Sequence, residues 1–193
     1  YYLNRRGHHV TVFEKDPLPG GLLTYGIPEM KLPKQIVARR VSLMEREGVS
    51  FRTSCRVGQQ ISPEELAAQF DLVIFCCGAQ QPRPLPFAEA GGAFYALDYL
   101  HASAQSLLEK TEPAVTASGK HVVLVGAGDS ASDCISVALR QGCRSVRQLV
   151  RRPQCRLYMP HMRRVERAAQ NADLLWNVFF TVGSIHQNVF RIS

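Results

Sequence analysis

Short apolar runs alternate with segments of helical periodicity along the whole chain. The apolar runs are rich in β-branched and aromatic residues and predict strands at residues 9–14, 49–53, 71–77, 121–125, 145–150 and 174–180. The segments between them predict helices ending near residue 6 and then covering about 34–47, 62–69, 97–110, 129–141 and 160–170. This alternation is typical of an α/β fold in which crossover helices cover parallel sheets in three layers.

Local signals support two of these helices. Ile36, Val37, Val41 and Met44 recur at helical spacing in the segment 34–47, so we expect them to form its apolar face. Ser62 followed by Pro63 and Glu65 is a capping box with proline at the first helical position. The Pro/Gly-rich stretch at 17–33 predicts a long loop without regular structure.

The pattern of strands and helices restarts after a small, polar, proline-containing stretch at 111–119. This stretch is the best candidate for a linker. We therefore expect two adjoining Rossmann-like units, one over residues 1–112 and one over residues 113–193.

The clearest motif lies in the second half, where the strand HVVLV runs into Gly126-Ala127-Gly128-Asp129 and then a helix. The first glycine permits a tight turn and the second lets the backbone approach a diphosphate. Ala131 stands where a small residue lets helix and strand pack closely, and the helix N-terminus favours phosphate. The motif predicts a dinucleotide site; the alternative is a strand–turn–helix that binds nothing.

The end of the following strand predicts which dinucleotide is bound. A carboxylate there would hold the ribose of NAD, whereas arginine would hold the 2′-phosphate of NADP. The sequence has Arg151 and Arg152, with Arg156 close behind, so NADPH is favoured over NADH. The alternative is a solvated basic loop. Nucleic-acid binding is not favoured, because no nucleic-acid-binding motif accompanies the arginines.

The first half resembles a second nucleotide site. Glu14 ends the strand HVTVFE, where an FAD-binding fold has a carboxylate for the adenosine ribose. Gly20 and Gly21 would let backbone amides approach the flavin diphosphate or ring, and Gly78 follows an apolar strand at a point where flavoproteins cross the cofactor. Each signal has a plainer explanation: an exposed acid at a strand end, or a turn. The glycine loop expected before Glu14 would precede Tyr1, so we expect a fold truncated at its start.

Composition narrows the possible functions. The formal net charge of +7 favours anionic ligands or an acidic partner. The sequence contains no apolar run of about 18 residues, so no membrane-spanning helix is predicted. The six cysteines show neither C-x-x-C nor zinc spacing, and Cys76 and Cys77 are expected to be buried thiols. With no signal peptide, reduced thiols indicate the cytoplasm.

Four blocks together resemble the glutamate synthase small (β) subunit family, which is related to the flavin half of dihydropyrimidine dehydrogenase. They are EKDPLPGGLLTYGIPEMKLPKQIVARR, VIFCCGAQQPRPLP, VVLVGAGDSASDC…ALRQG and RRPQCRLYMPHMRR. The resemblance covers nearly the whole chain. This sequence does not contain the family's cysteine-rich iron–sulfur domain, the first glycine loop or the C-terminal return segment. The fold is therefore expected to be truncated at both ends.

The resemblance implies an electron-input module that passes hydride from NADPH to FAD and electrons on to iron–sulfur clusters, which lie in the missing N-terminal region or in a partner. The large subunit of glutamate synthase would then make glutamate from glutamine and 2-oxoglutarate. The alternatives are an NADPH–flavin oxidoreductase serving ferredoxin or another electron-accepting protein, and a fragment without turnover. Membranes and nucleic acids are not expected as partners.

By motif position, the resemblance also implies which residues bind each cofactor, and it implies no catalytic side chain or metal ligand. The FAD set is Glu14, Gly20, Gly21, Leu22 and Gly78. The NADPH set is Gly126, Gly128, Asp129, Ser130, Ala131, Arg151, Arg152 and Arg156. An isolated chain of this length is expected to bind FAD poorly and to lack diaphorase activity.

Overall fold

A computed structural model describes residues 1–79, 81–82 and 91–150, together with the backbone of 189–192. The chain divides into two compact units, Tyr1–Gln80 and Gln81–Ser193. Both contain strands and helices in alternation, which confirms the predicted α/β class. Within the described residues, no helix has the length and apolar character needed to span a bilayer.

The first unit is built on a two-stranded parallel sheet. Strand β1 (Thr11–Phe13) pairs with β2 (Ser50–Arg52), with Val12 opposite Phe51. Parallel strands need a long crossover, and the 36 residues between these two, 14–49, supply it. No further strand pairs with this sheet among the described residues.

Four helices complete the first unit: α1 (Tyr2–Arg5), α2 (Leu22–Tyr25), α3 (Lys34–Arg46) and α4 (Pro63–Gln69). The predicted capping box of α4 is confirmed. The Ser62 hydroxyl accepts a hydrogen bond from the Glu65 N–H at 3.0 Å, and the Glu65 carboxylate accepts one from the Ser62 N–H at 2.7 Å. The ring of Phe70, which ends α4, meets that of Phe13 edge-on at 5.8 Å.

Two expectations for the first crossover were wrong in detail. The stretch at 17–33 is not wholly irregular, because α2 forms within it. On α3, Ile36 is exposed, whereas Val37 is buried. The inward face begins instead with Lys34, three residues before Val37 and therefore on the same side of the helix.

The apolar run at 71–77 does not form the predicted buried strand. The described residues 72–79 lack regular structure, and Leu72, Ile74 and Phe75 are exposed. Cys76 and Cys77 are exposed as well, so their predicted burial was wrong. A strand is stable only when a neighbour pairs its backbone and covers its faces, and no described strand pairs with this run.

The second unit contains a four-stranded sheet in the order β3-β6-β4-β5. Its strands are β3 (Ala93–Tyr95), β4 (His121–Val125), β5 (Ser145–Leu149) and β6 (Val189–Ile192). Strands β4 and β5 run parallel, as predicted, with Val123 opposite Arg147. The sheet is nevertheless mixed, because β6 is antiparallel to both β3 and β4. The helix predicted at about 160–170 and the strand predicted at 174–180 fall outside the described residues.

Helices α5 (Ala96–Glu109) and α6 (Asp129–Arg140) pack with β4 to form the core of this unit. Tyr99, Val122, Leu124 and Cys134 are its largest fully buried side chains. The 111–119 linker therefore lies inside a compact unit, with α5 joined to the residues after it. The apolar face of α5 explains this difference, since Tyr99 and Leu100 are buried in the same cluster as α6. The assignment of a cofactor to residues 1–112 and another to 113–193 stays a proposal.

Candidate nucleotide-binding loops

The predicted dinucleotide motif adopts the strand–turn–helix geometry that its glycines suggested. Strand β4 ends at Val125, and α6 begins at Asp129. Gly126 and Gly128 have φ angles of +130° and +100°, in a region that favours glycine. A Cβ built at Gly128 would meet no atom of the described residues within 4 Å, so the turn leaves space beside it on this part of the chain.

Strand β5 fixes the start of this turn by binding both the N–H and the carbonyl of Gly126. The Gly126 N–H donates to the Leu149 carbonyl at 2.9 Å. The Gln148 side-chain amide donates to the Gly126 carbonyl at 2.9 Å. Because Gln148 sits on β5, the position of the glycine turn is tied to the neighbouring strand.

The N-terminus of α6 has no side-chain cap. Within the described residues, the amides of Asp129, Ser130 and Ala131 donate no hydrogen bond, as expected for the first turn of a helix. Three N–H groups and the positive end of a 12-residue helix dipole therefore face the open turn. The exposed Asp129 carboxylate stabilises the same helix end when no other anion is present.

Close packing beneath the turn depends on small side chains. Ala131 and Cys134 are fully buried against the sheet, as predicted for the third small position of the motif. Burial, with a smaller effect from the Asp133 carboxylate, raises the pKa of the Cys134 thiol to about 12. Its Sγ donates to the Ala96 carbonyl at 3.8 Å, so this cysteine is a neutral packing group rather than a nucleophile.

Strand β5 ends at Leu149 and is followed by the partly exposed Val150, so no carboxylate stands at the strand end. Arg151, Arg152 and Arg156 lie outside the described residues. Their predicted role at a 2′-phosphate stays a proposal.

In the first unit, Glu14 directly follows β1, as predicted for a ribose-binding carboxylate. Its Oε1 accepts a hydrogen bond from the Asp16 N–H at 3.1 Å. Its backbone extends the sheet by one residue, because the Glu14 N–H donates to the Arg52 carbonyl at 2.9 Å and its carbonyl accepts from the Cys55 N–H. The carboxylate is therefore fixed at the strand end, with one oxygen committed to its own loop.

Gly20 and Gly21 form a turn that only glycine fits. Their φ angles are +117° and +52°, and a Cβ at Gly20 would clash with Thr24 Oγ1. That hydroxyl donates to the Pro19 carbonyl at 2.7 Å, and the Leu18 N–H donates to the Tyr25 hydroxyl at 3.2 Å. Both bonds close the loop upon itself.

The outer side of this loop is open. In the part of the chain that the structure describes, the amides of Gly20, Gly21 and Leu22 donate no hydrogen bond. The side chains of Leu22 and Leu23 are exposed, at 61% and 49% of their area. The loop thus offers N–H donors next to apolar surface, a combination suited to a ligand with both a polar group and a flat apolar ring.

Gly78 is not joined to this loop. It has a φ of +64° with open space around it, and it lies in the exposed segment 72–79. No hydrogen bond is formed by Gly78 among the described residues. Glu14, Gly20, Gly21 and Leu22 therefore lie in one stretch after β1, and no hydrogen bond among the described residues joins Gly78 to them.

The roles of two residues that hold these loops, Gln148 and Lys34, were not predicted from the sequence. Gln148 reads as an ordinary strand residue, and nothing local indicates that its side chain reaches Gly126. Lys34 donates from its side chain to the Leu23 and Ile27 carbonyls, and its position three residues before Val37 was the available signal. Among the described residues, no group of three or more His, Cys, Asp or Glu side chains could hold a metal.

Comparison with known proteins agrees with this geometry. The family model described as pyridine nucleotide-disulphide oxidoreductase matches residues 1–180. The glutamate synthase [NADPH] small chain of Bacillus subtilis is 46% identical over 157 residues, 79% of this chain and 32% of the relative. The glutamate synthase [NADH] of Schizosaccharomyces pombe is 42% identical over 154 residues, 76% of this chain and 7% of the relative.

Among solved structures, Mycobacterium tuberculosis FprA in complex with NADPH matches with a TM-score of 0.55 and 24% identity, covering 72% of this chain and 36% of that one. This likeness shows the fold. The chain spans about a third or less of the length of the relatives named here. The match over residues 1–180 and the paired glycine turns lead to one conclusion: the chain belongs to the pyridine nucleotide-disulphide oxidoreductase family.

Proposed function

We propose that this chain is part of an electron-input module that takes hydride from NADPH and passes it to FAD. The uncapped N-terminus of α6 behind the Gly126–Gly128 turn carries the proposal, because it presents unpaired N–H groups to an open space. A dinucleotide diphosphate carries two negative charges and needs such donors.

Each residue of the turn has a separate role in the proposed NADPH site. Gly128 leaves room for the diphosphate to approach the backbone, and the amides of Asp129, Ser130 and Ala131 are available to its oxygens. Gly126 permits the tight turn from β4 to α6. The described residues therefore fit the coenzyme on both space and donors.

The choice of NADPH over NADH rests on the end of β5. No acidic residue stands at Leu149 or Val150 to hold the ribose hydroxyls of NADH. We assign the 2′-phosphate to Arg151 and Arg152, with Arg156 as a further contact, because guanidinium groups bind phosphate through paired hydrogen bonds. The relatives carry both NADPH and NADH in their names, so the arginines and not the relatives support this choice.

The flavin is assigned to the first unit. Glu14 would accept hydrogen bonds from the adenosine ribose, and the open amides of Gly20, Gly21 and Leu22 would face the flavin diphosphate or ring. The positive φ and empty space at Gly21 fit the close approach of a ligand to the backbone. We include Gly78 in the proposed FAD site because it ends the sequence motif VIFCCG.

When bound, the two cofactors supply the chemistry, which is hydride transfer from NADPH to FAD. The task of this chain is to hold them, so no side chain is assigned as an acid, base or nucleophile. The raised pKa of Cys134 agrees with this, since a neutral buried thiol is a poor nucleophile. The described residues offer no ligand set for an iron–sulfur cluster, so we assign any cluster that accepts the electrons to residues outside them.

The wider assignment follows from the relatives. The small chain of Bacillus subtilis glutamate synthase is similar over most of this sequence. We therefore propose that the electrons leave FAD for iron–sulfur clusters and then for a glutamate synthase large subunit in the cytoplasm. Transfer to ferredoxin or another electron-accepting protein is the competing destination.

Two glycine substitutions test the dinucleotide site in the full-length protein that carries these residues. Gly128→Ala adds a methyl group to the open turn, and Gly119→Ala adds one at another open position with positive φ, at the opposite end of β4. Both changes strain the backbone, so Gly119→Ala is the matched control. We expect Gly128→Ala to raise the NADPH dissociation constant at least about tenfold, or about 1.4 kcal/mol, and Gly119→Ala to leave it unchanged. Equal effects of the two would place NADPH elsewhere.

A further inference from the structure

Lys34 is a lysine whose side chain points into the first unit. Only 9% of its area is exposed, and it is the first residue of α3. Buried lysines are rare, because removing an ammonium group from water is unfavourable unless hydrogen bonds replace the water. The contacts of Lys34 show what replaces it.

The ammonium group ties down the loop that precedes α3. Its Nζ donates to the Leu23 carbonyl at 3.0 Å and also to the Ile27 carbonyl. The backbone N–H of Lys34 donates to the Glu29 carboxylate at 2.9 Å. One residue therefore holds the loop at three points, on both sides of the C-terminal end of α2.

No backbone N–H among the described residues donates to the Leu23 or Ile27 carbonyl. Without the ammonium, both carbonyls at the end of α2 would lose the side-chain donor that Lys34 supplies. A cation is also favoured at this end of a helix by the direction of the backbone dipoles. Burial lowers the pKa of the Lys34 ammonium, and the Glu29 carboxylate opposes this effect.

The two ends of this loop have different roles. Its C-terminal end is fixed from the inside by Lys34, and its N-terminal end presents the open amides of Gly20 and Gly21. Thr24 connects the two ends. It lies one helical turn from both Gly20 and Ile27, and its hydroxyl donates to the Pro19 carbonyl. A change in the position of Leu23 or Ile27 would therefore move the amides that face a ligand.

We propose that Lys34 is a positioning residue for the flavin: by holding the Leu23 and Ile27 carbonyls, it sets the geometry of the Gly20–Leu22 segment. The inference rests on the proposed flavin site. Lys34 does not touch the flavin in this proposal and takes no part in hydride transfer.

The test replaces Lys34 with methionine, which keeps the length of the side chain and removes the donors. Arg39→Met, on the exposed side of the same helix, removes one positive charge without a buried contact and is the control. In the full-length protein we expect Lys34→Met to raise the FAD dissociation constant at least about tenfold and to shift the visible circular dichroism of the bound flavin. NADPH affinity should stay within about twofold of the unsubstituted protein, because its site lies on β4 and α6.

The outcomes separate the two proposals. If the unsubstituted protein binds no flavin, the proposed function fails. If it binds flavin and Lys34→Met matches it in affinity and circular dichroism, only the role of Lys34 is overturned. Should Lys34→Met not fold, the ¹⁵N resonance of the Lys34 ammonium in the unsubstituted protein decides: it should shift when FAD binds, and an unchanged resonance would contradict the proposal.

Discussion

At the scale of single residues, coenzyme choice depends on two adjacent side chains. Changing both Arg151 and Arg152 to alanine should raise the Michaelis constant for NADPH, since each charged hydrogen bond lost costs about 1.5–3 kcal/mol. The Michaelis constant for NADH should remain almost unchanged. Arg140→Ala, which removes a charge from the far end of α6, is the control. Equal losses with NADPH and NADH would show that the pair does not bind the 2′-phosphate.

The raised pKa of Cys134 predicts how the stability of the protein changes at alkaline pH. Its pKa is raised from 9.0 to about 12 in the folded protein, whereas the unfolded thiol ionises near 9.0. Its stabilising contribution should therefore be complete below pH 9 and disappear as the pH rises toward 12. Compared with Cys134→Ala, the unsubstituted protein should lose up to about 1.4 kcal/mol more of its unfolding free energy per pH unit in this range. Parallel pH profiles measured by urea denaturation would contradict the prediction. Burial also raises the pKa of Tyr99, and both proteins share that larger effect; the smaller effect of the Cys134 thiolate on Tyr99 is lost in Cys134→Ala.

At the scale of elements, β5 supports the glycine turn through Gln148. Gln148→Leu removes the donor to the Gly126 carbonyl and should raise the NADPH dissociation constant about threefold to tenfold, the range for one neutral hydrogen bond. FAD affinity should not change. Gln105→Leu, on the exposed face of α5, controls for the loss of a glutamine amide. Isothermal titration measures both affinities, and an unaltered NADPH affinity would mean that the turn holds its shape without this bond.

The cap of α4 gives a stability prediction for the first unit. Ser62→Ala removes the hydroxyl that accepts from the Glu65 N–H, which should cost about 1 kcal/mol of unfolding free energy. Ser42→Ala, at an exposed position within α3, should cost less than about 0.5 kcal/mol. Chemical denaturation of the two variants gives the comparison. A Ser42→Ala loss as large as that of Ser62→Ala would argue against the cap.

The elements also show how far sequence reasoning reaches. Helix α4 and strand β4 were predicted almost to the residue, because a capping box and an apolar run before a glycine turn are local signals. The prediction of a buried strand at 71–77 was wrong, because whether an apolar run finds a strand to pair with does not depend on its local sequence. The mixed sheet was missed for the same reason: strand direction in β6 depends on long-range pairing.

At the scale of the site, the glycines could be predicted and their supports could not. The turn at Gly126–Gly128 and the pair Gly20–Gly21 were recognised from sequence because positive φ angles demand glycine. Lys34 and Gln148 act on backbone carbonyls 7–11 and 22 residues away, and carbonyls leave no mark in a sequence. Positions that hold a loop from outside it are therefore visible only in the folded chain.

At the scale of the whole molecule, we propose that two glycine loops, one on each unit, bind two cofactors that exchange a hydride. The most direct test is rapid mixing of the full-length, flavin-loaded protein with NADPH in the absence of oxygen, while the visible absorbance of oxidised flavin is followed. We predict that NADPH bleaches this absorbance far faster than NADH at equal concentration, and that Gly128→Ala slows the bleaching at low NADPH concentration. A flavin that binds and is not reduced by either coenzyme would contradict the proposed function.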